Sequence, residues 1–319
     1  MPRNRKYFRH GDALLVTSRT EEGLPLVPSH NLNFIIWGIL AKARSMYRVK
    51  ICHFLFMSNH FHMILVVDTP EDISSFVGYV KGEIAHAINK LLGRRQKTIW
   101  QSGYDSPILL EPEDVERYID YIYLNPVKAG LVHSIEEFPG VSSWQMFSSG
   151  CYKRNHKKLN RTDLWMLPAA SLGVNEQKRI VSAYEKLESP KYELVIEPFA
   201  YLKDGQQCFS RETIINRISN RERIIKDDRK SRKEEVFGAT KLRRESMLKE
   251  YIPKKYSKRM ICISSNKQHR NAFIGFFKSL SEQAALIYQS WKRGDFSLRL
   301  PPGLFYPSMP SLCSVVCLT

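Results

Sequence analysis

Apolar residues in the first half of the chain alternate between two periods. Ala13 to Thr20 (Ala-Leu-Leu-Val-Thr-Ser-Arg-Thr) is a β-rich run, and Val49 to Met57 reads as a second strand. Between them Ile35, Ile36, Ile39 and Leu40 fall at helical spacing up to about Tyr47, and Asn31 is the expected N-cap. Ser58-Asn59 predicts a tight connection into the strand that starts at His60. A second helix follows from Glu71 to about Leu92, with Ile73, Phe76, Val77, Val80, Ile84, Ile88 and Leu91 on one stripe and Gly93-Arg94-Arg95 at its end. A short apolar strand is expected near Ser106 to Leu110. Glu111-Pro112-Glu113-Asp114 then opens a third helix, with acidic residues suited to its first turn.

The order β-α-β-β-α-β is the ferredoxin-like pattern, so the expected fold class is α+β with a helix appended. This unit closes at Gly140 to Trp144, giving a first domain of about residues 1–150. Residues 151–175 are basic and turn-rich and read as a linker. Residues 176–319 read as a basic, mainly helical C-terminal extension of unknown role, with helices expected at Glu176–Leu187 and Asn271–Lys292 and an extended ending from Leu300. From Arg211 to Arg270 cations are dense and acids interspersed, which suits a solvated helical face and a DNA-contact surface equally.

The 319 residues carry a formal charge of +17, a bias toward polyanions and toward nucleic acid first. No uncharged apolar run reaches the length of a membrane span, so no membrane partner is expected. The start, Met1-Pro2-Arg3-Asn4-Arg5-Lys6, lacks an apolar segment of the signal-peptide kind, and the scattered cysteines suit reduced thiols. A cytoplasmic location follows as an expectation.

Candidate chemistry sits in Met57-Ser58-Asn59-His60-Phe61-His62. Side chains alternate along a strand, so His60 and His62 share one face while Phe61, Met63 and Leu65 take the other. Two imidazoles on one face begin a metal-ligand set, and they fit a structural pair as well. The third helix carries Tyr118, Tyr121, Tyr123, Asn125 and Pro126. Residues three or four apart share a helix face, so Tyr118, Tyr121 and Asn125 group together and Tyr123 points away. Pro126 is expected to break or kink the helix at Asn125. Two His and one amide oxygen form a mixed N/O set that suits Mg²⁺ or Mn²⁺ bound together with phosphate oxygens. A tyrosine on the same face is then a candidate nucleophile toward phosphorus.

With these residues in view, the chain resembles the HUH single-tyrosine transposases, in the IS200-like branch of REP-associated tyrosine transposases. The matching pieces are Met57 to His62, Val80-Lys81-Gly82-Glu83, Trp100-Gln101 and Tyr121 to Val132, in family order and spacing, within about residues 1–150. The resemblance implies that His60 and His62 are metal ligands, Tyr121 the nucleophile and Asn125 a third polar ligand. It implies a metal-dependent transposase that nicks and rejoins single-stranded DNA beside a hairpin, through a 5′-phosphotyrosine and a free 3′-OH. It also implies a homodimer as one expected assembly, since members of the family commonly pair as dimers, although this branch includes monomers. Arg3, Arg5, Lys6 and Arg9 at the basic start, with Lys81 and Lys128, are the candidate DNA contacts. A hairpin-binding repressor that does not cut fits the same charge and fold. The intact set of His60, His62, Tyr121 and Asn125 favours catalysis.

Overall fold

The structure, a computed structural model, describes residues 6–21, 23, 25–164, 172–203, 209–251 and 260–305. In chain order the elements are β1 (Lys6–Tyr7), β2 (Ala13–Arg19), α1 (His30–Met46), β3 (Val49–Met57), β4 (His60–Val67), α2 (Pro70–Leu91), β5 (Ile108–Leu109) and α3 (Pro112–Lys128). The chain continues through α4 (Trp144–Ser149), β6 (Lys153–Lys157), α5 (Val174–Lys186), β7 (Lys191–Val195), α6 (Arg211–Ser231), α7 (Ala239–Arg244), β8 (Cys262–Ile263), α8 (Lys267–Lys292) and β9 (Leu304–Phe305). The fold is mixed α+β around a central sheet of order β3-β4-β2-β5-β8. Its neighbours are antiparallel except β5 and β8.

The hairpin β3–β4 forms where Ser58-Asn59 predicts the turn, and its register pairs Met57 with His60 and Leu55 with His62. Phe61 turns onto Phe56 and Trp100, and Phe54 onto Trp37 of α1, so this face of the sheet packs under α1 and α2. The opposite face carries His53, His60 and His62 and lies under α3. A register shift between Ile51 and His53 adds one residue to β3. Such a bulge changes which side chains face which side, and it delivers His53 to the α3 face.

Two local expectations are corrected. Asn31 does not cap α1; the cap lies two residues earlier, at Ser29, its Oγ accepting from the Leu32 amide at 3.4 Å. Asn31 lies inside the first turn and is completely buried. Nor does Pro126 end α3, which runs on through it to Lys128. Pro126 and Val127 are buried, and apolar packing on the sheet outweighs the one hydrogen bond that a proline nitrogen cannot donate. The stop comes at Gly130, whose φ of 69° permits a Schellman ending: Gly130 N donates to the Val127 carbonyl and Leu131 N to that of Pro126, each at 3.0 Å.

Within the stretch read as a linker, Lys153–Lys157 form a strand, β6, antiparallel to β7, and both pack against α1. Gly38 of α1 makes room for this, since a Cβ there would lie 2.2 Å from the Lys157 carbonyl oxygen. Farther along, β8 extends the central sheet beside β5 and β9 pairs with β1. The ending beyond Phe305 lies outside the described residues.

A buried polar chain ties these layers together. His53 Nε2–H donates to the Pro198 carbonyl at 3.2 Å, and its Nδ1 accepts from the Tyr123 hydroxyl at 2.7 Å. The Tyr123 oxygen is in turn 2.9 Å from Ser143 Oγ. Burial, slightly offset by the Pro198 hydrogen bond, pushes His53 down to about 3. In the unfolded chain its value is near 6.5, so below that pH the unfolded state binds the extra proton and folding stability is lost as pH falls toward 3. His53 alone contributes a slope of up to about 1.4 kcal/mol per pH unit in that window. Urea titrations at pH 7.5, 6 and 5 check this. His53→Gln is expected to be less stable at pH 7.5 and to lose less on acidification; an unchanged acid slope contradicts the assignment.

Candidate active site

The residues at the candidate site come from β2, β4 and α3. On β4 the His60 and His62 rings lie 4.8 Å apart and nearly perpendicular. Each is fixed through its Nδ1. His60 Nδ1–H donates to Asn59 Oδ1 at 2.6 Å, and His62 Nδ1 is bonded to Thr17 Oγ1 at 2.8 Å. Fixing one ring nitrogen orients the other, so both Nε2 atoms are held for use elsewhere. His62 Nε2 is buried and has no hydrogen-bond partner among the described residues. Burial, and after it the nearby Arg19 guanidinium, pushes His60 down to about 3. Burial, then His60 and Arg19, holds His62 well below its ordinary value. Both rings are therefore neutral at physiological pH and keep one ring nitrogen unprotonated, the form that binds metal.

From α3, the Tyr121 ring meets His62 edge to face at 5.3 Å, and Tyr118 packs on Tyr121 at 5.6 Å. Tyr121 is 37% exposed, whereas Tyr123 is fully buried in the His53–Ser143 chain. The helical spacing thus separates the two tyrosines as read from the sequence. Asn125 lies one turn beyond Tyr121 on the same face of α3 and is partly exposed. Among the described residues no three His, Cys, Asp or Glu side chains cluster as a metal set. The groups able to hold a divalent ion here are the two imidazoles, one with an orphaned nitrogen, and the Asn125 amide oxygen.

Three further side chains support the imidazoles or share their face. Thr17 and Arg19 stand opposite His62 and His60 in the β2–β4 register, so they share the face of the imidazoles, and Arg19 is exposed. The strand pairing that identifies them is not visible in a one-dimensional pattern. Asn59, read only as a turn residue, orients His60.

The expected DNA contacts are dispersed. Lys81 turns its ammonium onto the Gln101 and Gly103 carbonyls, and the Trp100 indole N–H donates to the Lys81 carbonyl at 2.8 Å. Lys6 donates to the Tyr104 carbonyl at 3.0 Å and to Ser106 Oγ at 2.9 Å, and Arg9 pairs with Asp12 at 3.1 Å. Lys128 is exposed in the last turn of α3. Arg3 and Arg5 lie outside the described residues.

The chain that folds into this geometry is similar to known proteins over part of its length. Residues 28–122 match the family described as "Transposase IS200 like", a span that includes His60, His62 and Tyr121 and stops short of Asn125. A REP-associated tyrosine transposase of Escherichia coli K12 is 28% identical over 97 residues, covering 30% of this chain and 55% of that protein. A putative REP-associated tyrosine transposase of Haemophilus influenzae is 24% identical over 112 residues, covering 30% of this chain and 64% of that one. The match thus spans somewhat more than half the length of these relatives. A solved structure titled "Structure of the REP associates tyrosine transposase bound to a REP hairpin" aligns with a TM-score of 0.41 and 22% identity over 47% of this chain and 86% of the other. The likeness to IS200-like transposases rests on residues 28–122, and that to REP-associated tyrosine transposases on 30% of the chain. Among the described residues no helix is long and apolar enough to cross a membrane.

Exposure separates the tyrosines chemically. Brief treatment of the folded protein with tetranitromethane is expected to nitrate Tyr121 and spare Tyr123, as read by peptide mass mapping. Nitration of Tyr123 first contradicts the placement of the two rings.

Proposed function

We propose that this protein is a metal-dependent transposase that cuts and rejoins single-stranded DNA at hairpin-associated sites, with Tyr121 as nucleophile. The observation that carries the reading is the accessible Tyr121 ring 5.3 Å from a neutral, buried imidazole whose Nε2 has no partner among the described residues. The chemistry is assigned to residues 1–150. Within them the strand order β3-β4-β2-β5 and the two helices on one sheet face support the ferredoxin-like reading.

In this scheme the Tyr121 oxygen bonds to phosphorus as the P–O3′ bond breaks, leaving a 5′-phosphotyrosine and a free 3′-hydroxyl. A 3′-hydroxyl later reverses the step on the same phosphorus. A divalent ion, Mg²⁺ or Mn²⁺, would be held by His60, His62 and Asn125 and would supply neutralisation of the non-bridging phosphate oxygens. Asn59 and Thr17 keep the imidazoles oriented, and Tyr118 limits the rotation of Tyr121 by packing on it. Arg19, exposed beside His60, and Lys128, one turn beyond Asn125, supply positive charge for the flanking phosphates.

Two measurements test this. Labelled single-stranded DNA carrying a hairpin, incubated with the protein and Mn²⁺, is expected to yield a denaturant-resistant protein–DNA adduct that Tyr121→Phe abolishes and Tyr123→Phe retains. An adduct that persists in Tyr121→Phe overturns the nucleophile assignment, and hairpin binding without any cleavage favours a repressor. Arg19→Ala is expected to weaken DNA binding and to flatten the plot of log K against log salt by about one unit, the signature of one lost phosphate contact. An unchanged salt slope removes Arg19 from the interface.

A further inference from the structure

The densely charged stretch after Arg211 forms α6, and α6 lies along the helix that carries Tyr121. Its cations do not all face water. Arg217 makes a two-pronged bond to Asp120, Nε to Oδ2 at 2.9 Å and Nη2 to Oδ1 at 3.0 Å, and its Nη1 reaches Glu116 Oε2 at 3.0 Å. Arg221 adds a 2.7 Å contact to Asp120 Oδ2. Both carboxylates are buried, Asp120 at 1% and Glu116 at 6% exposure. They sit one turn apart on α3, on a different face from Tyr118, Tyr121 and Asn125.

The contact runs the length of the helix. At its C-terminal end Arg229 Nη2 donates to the Lys128 carbonyl at 2.9 Å, setting a positive charge where the helix dipole is negative. Gly130 makes this approach possible, since a Cβ there would lie 2.6 Å from Arg229 Nη1. Just beyond, Phe237 N donates to the Gly130 carbonyl at 2.8 Å and Gly238 N to that of Leu131 at 2.9 Å. Glu222 Oε1 accepts from Ile135 N at 3.2 Å. A planar fork between two buried carboxylates fixes rotation and translation together, which a single point charge does not.

We propose that α6 is a built-in brace for the nucleophile helix, and that Arg217 is a positioning residue that acts through Asp120 and Glu116 to keep Tyr121 beside His62. This inference rests on the reading of Tyr121 as nucleophile. It assigns to part of the C-terminal extension a role in the chemistry of the N-terminal segment, with no contact to DNA required. A tyrosine displaced by about 1 Å from its attacking position loses on the order of 100-fold in rate. Loss of the fork therefore acts on the rate of attack before it acts on DNA affinity.

The test uses the full chain. Arg217→Ala, Arg217→Lys and the neutral triple variant Asp120→Asn with Arg217→Gln and Glu116→Gln are compared with the parent. The last carries Glu116→Gln as well, since Glu116 also pairs with Arg217, so that no buried carboxylate is left unpaired. Single-turnover adduct formation with hairpin DNA and Mn²⁺ is measured at saturating DNA, and Kd is measured separately in a Tyr121→Phe background. The expected result for Arg217→Ala is a rate lowered roughly 10- to 100-fold with Kd within twofold of the parent, and partial recovery on adding millimolar methylguanidinium. Arg217→Lys is expected to fall between. A rate unchanged in folded Arg217→Ala and in the neutral triple variant overturns the brace. So does a rate that falls only in proportion to the unfolded fraction, without rescue.

A readout independent of cleavage separates this proposal from the reading beneath it. With 3-fluorotyrosine incorporated, the Tyr121 ¹⁹F resonance (assigned by Tyr121→Phe) is expected to shift or broaden in Arg217→Ala and to return with methylguanidinium. If the parent protein forms no adduct, the nicking reading fails while this signal still decides the brace. A Tyr121 resonance identical in parent and variant overturns it.

Discussion

The site depends on one packing relationship, the seating of α3 across the sheet face that carries the histidines. The β3–β4 hairpin alone places His60 and His62 side by side, and the helix alone places Tyr121, Tyr118 and Asn125 on one stripe. Neither has chemical meaning without the other. The two are joined where Tyr123, on a different side of α3 from Tyr121, inserts its hydroxyl between His53 and Ser143. A tyrosine buried in the structure thus orients a second one that is open to solvent, and the bulge in β3 is what turns His53 toward it.

Much of this arrangement is legible in the sequence because its causes are local. Alternation gives the two faces of β4, and the three-and-four spacing on α3 separates Tyr121 from Tyr123. Helix and strand limits agree with the apolar pattern to within a residue or so for β2, β3 and α2. The misreadings have tertiary causes. The proline rule predicts a break or a kink at Asn125; the break does not occur, since burial of Pro126 and Val127 carries α3 on to a glycine stop. Asn31 has the chemistry of a cap, yet Ser29 occupies that position and Asn31 is buried.

Long-range pairing is what a linear reading cannot supply. Lys81 is a candidate DNA contact in the sequence, and only the fold shows that its ammonium also ties the Gln101 and Gly103 carbonyls. Thr17 and Arg19 acquire significance only through the strand register opposite His62 and His60. The charges of α6 are the clearest case. Interspersed acids suggest a helix neutralised along its own surface, whereas Arg217 and Arg221 answer carboxylates buried on α3. Charge in the extension thus pairs with carboxylates of the first half.

The central claim is that His60, His62, Tyr121 and Asn125 form one site that transfers a DNA strand to tyrosine. Its most direct test is to digest the product of a reaction with single-stranded hairpin DNA and Mn²⁺ and to identify the modified peptide by mass spectrometry. The account predicts a nucleotide linked through a 5′-phosphate to Tyr121, with a free 3′-hydroxyl on the released strand. Cleaved DNA bearing no protein, or a linkage to any other residue, would contradict it.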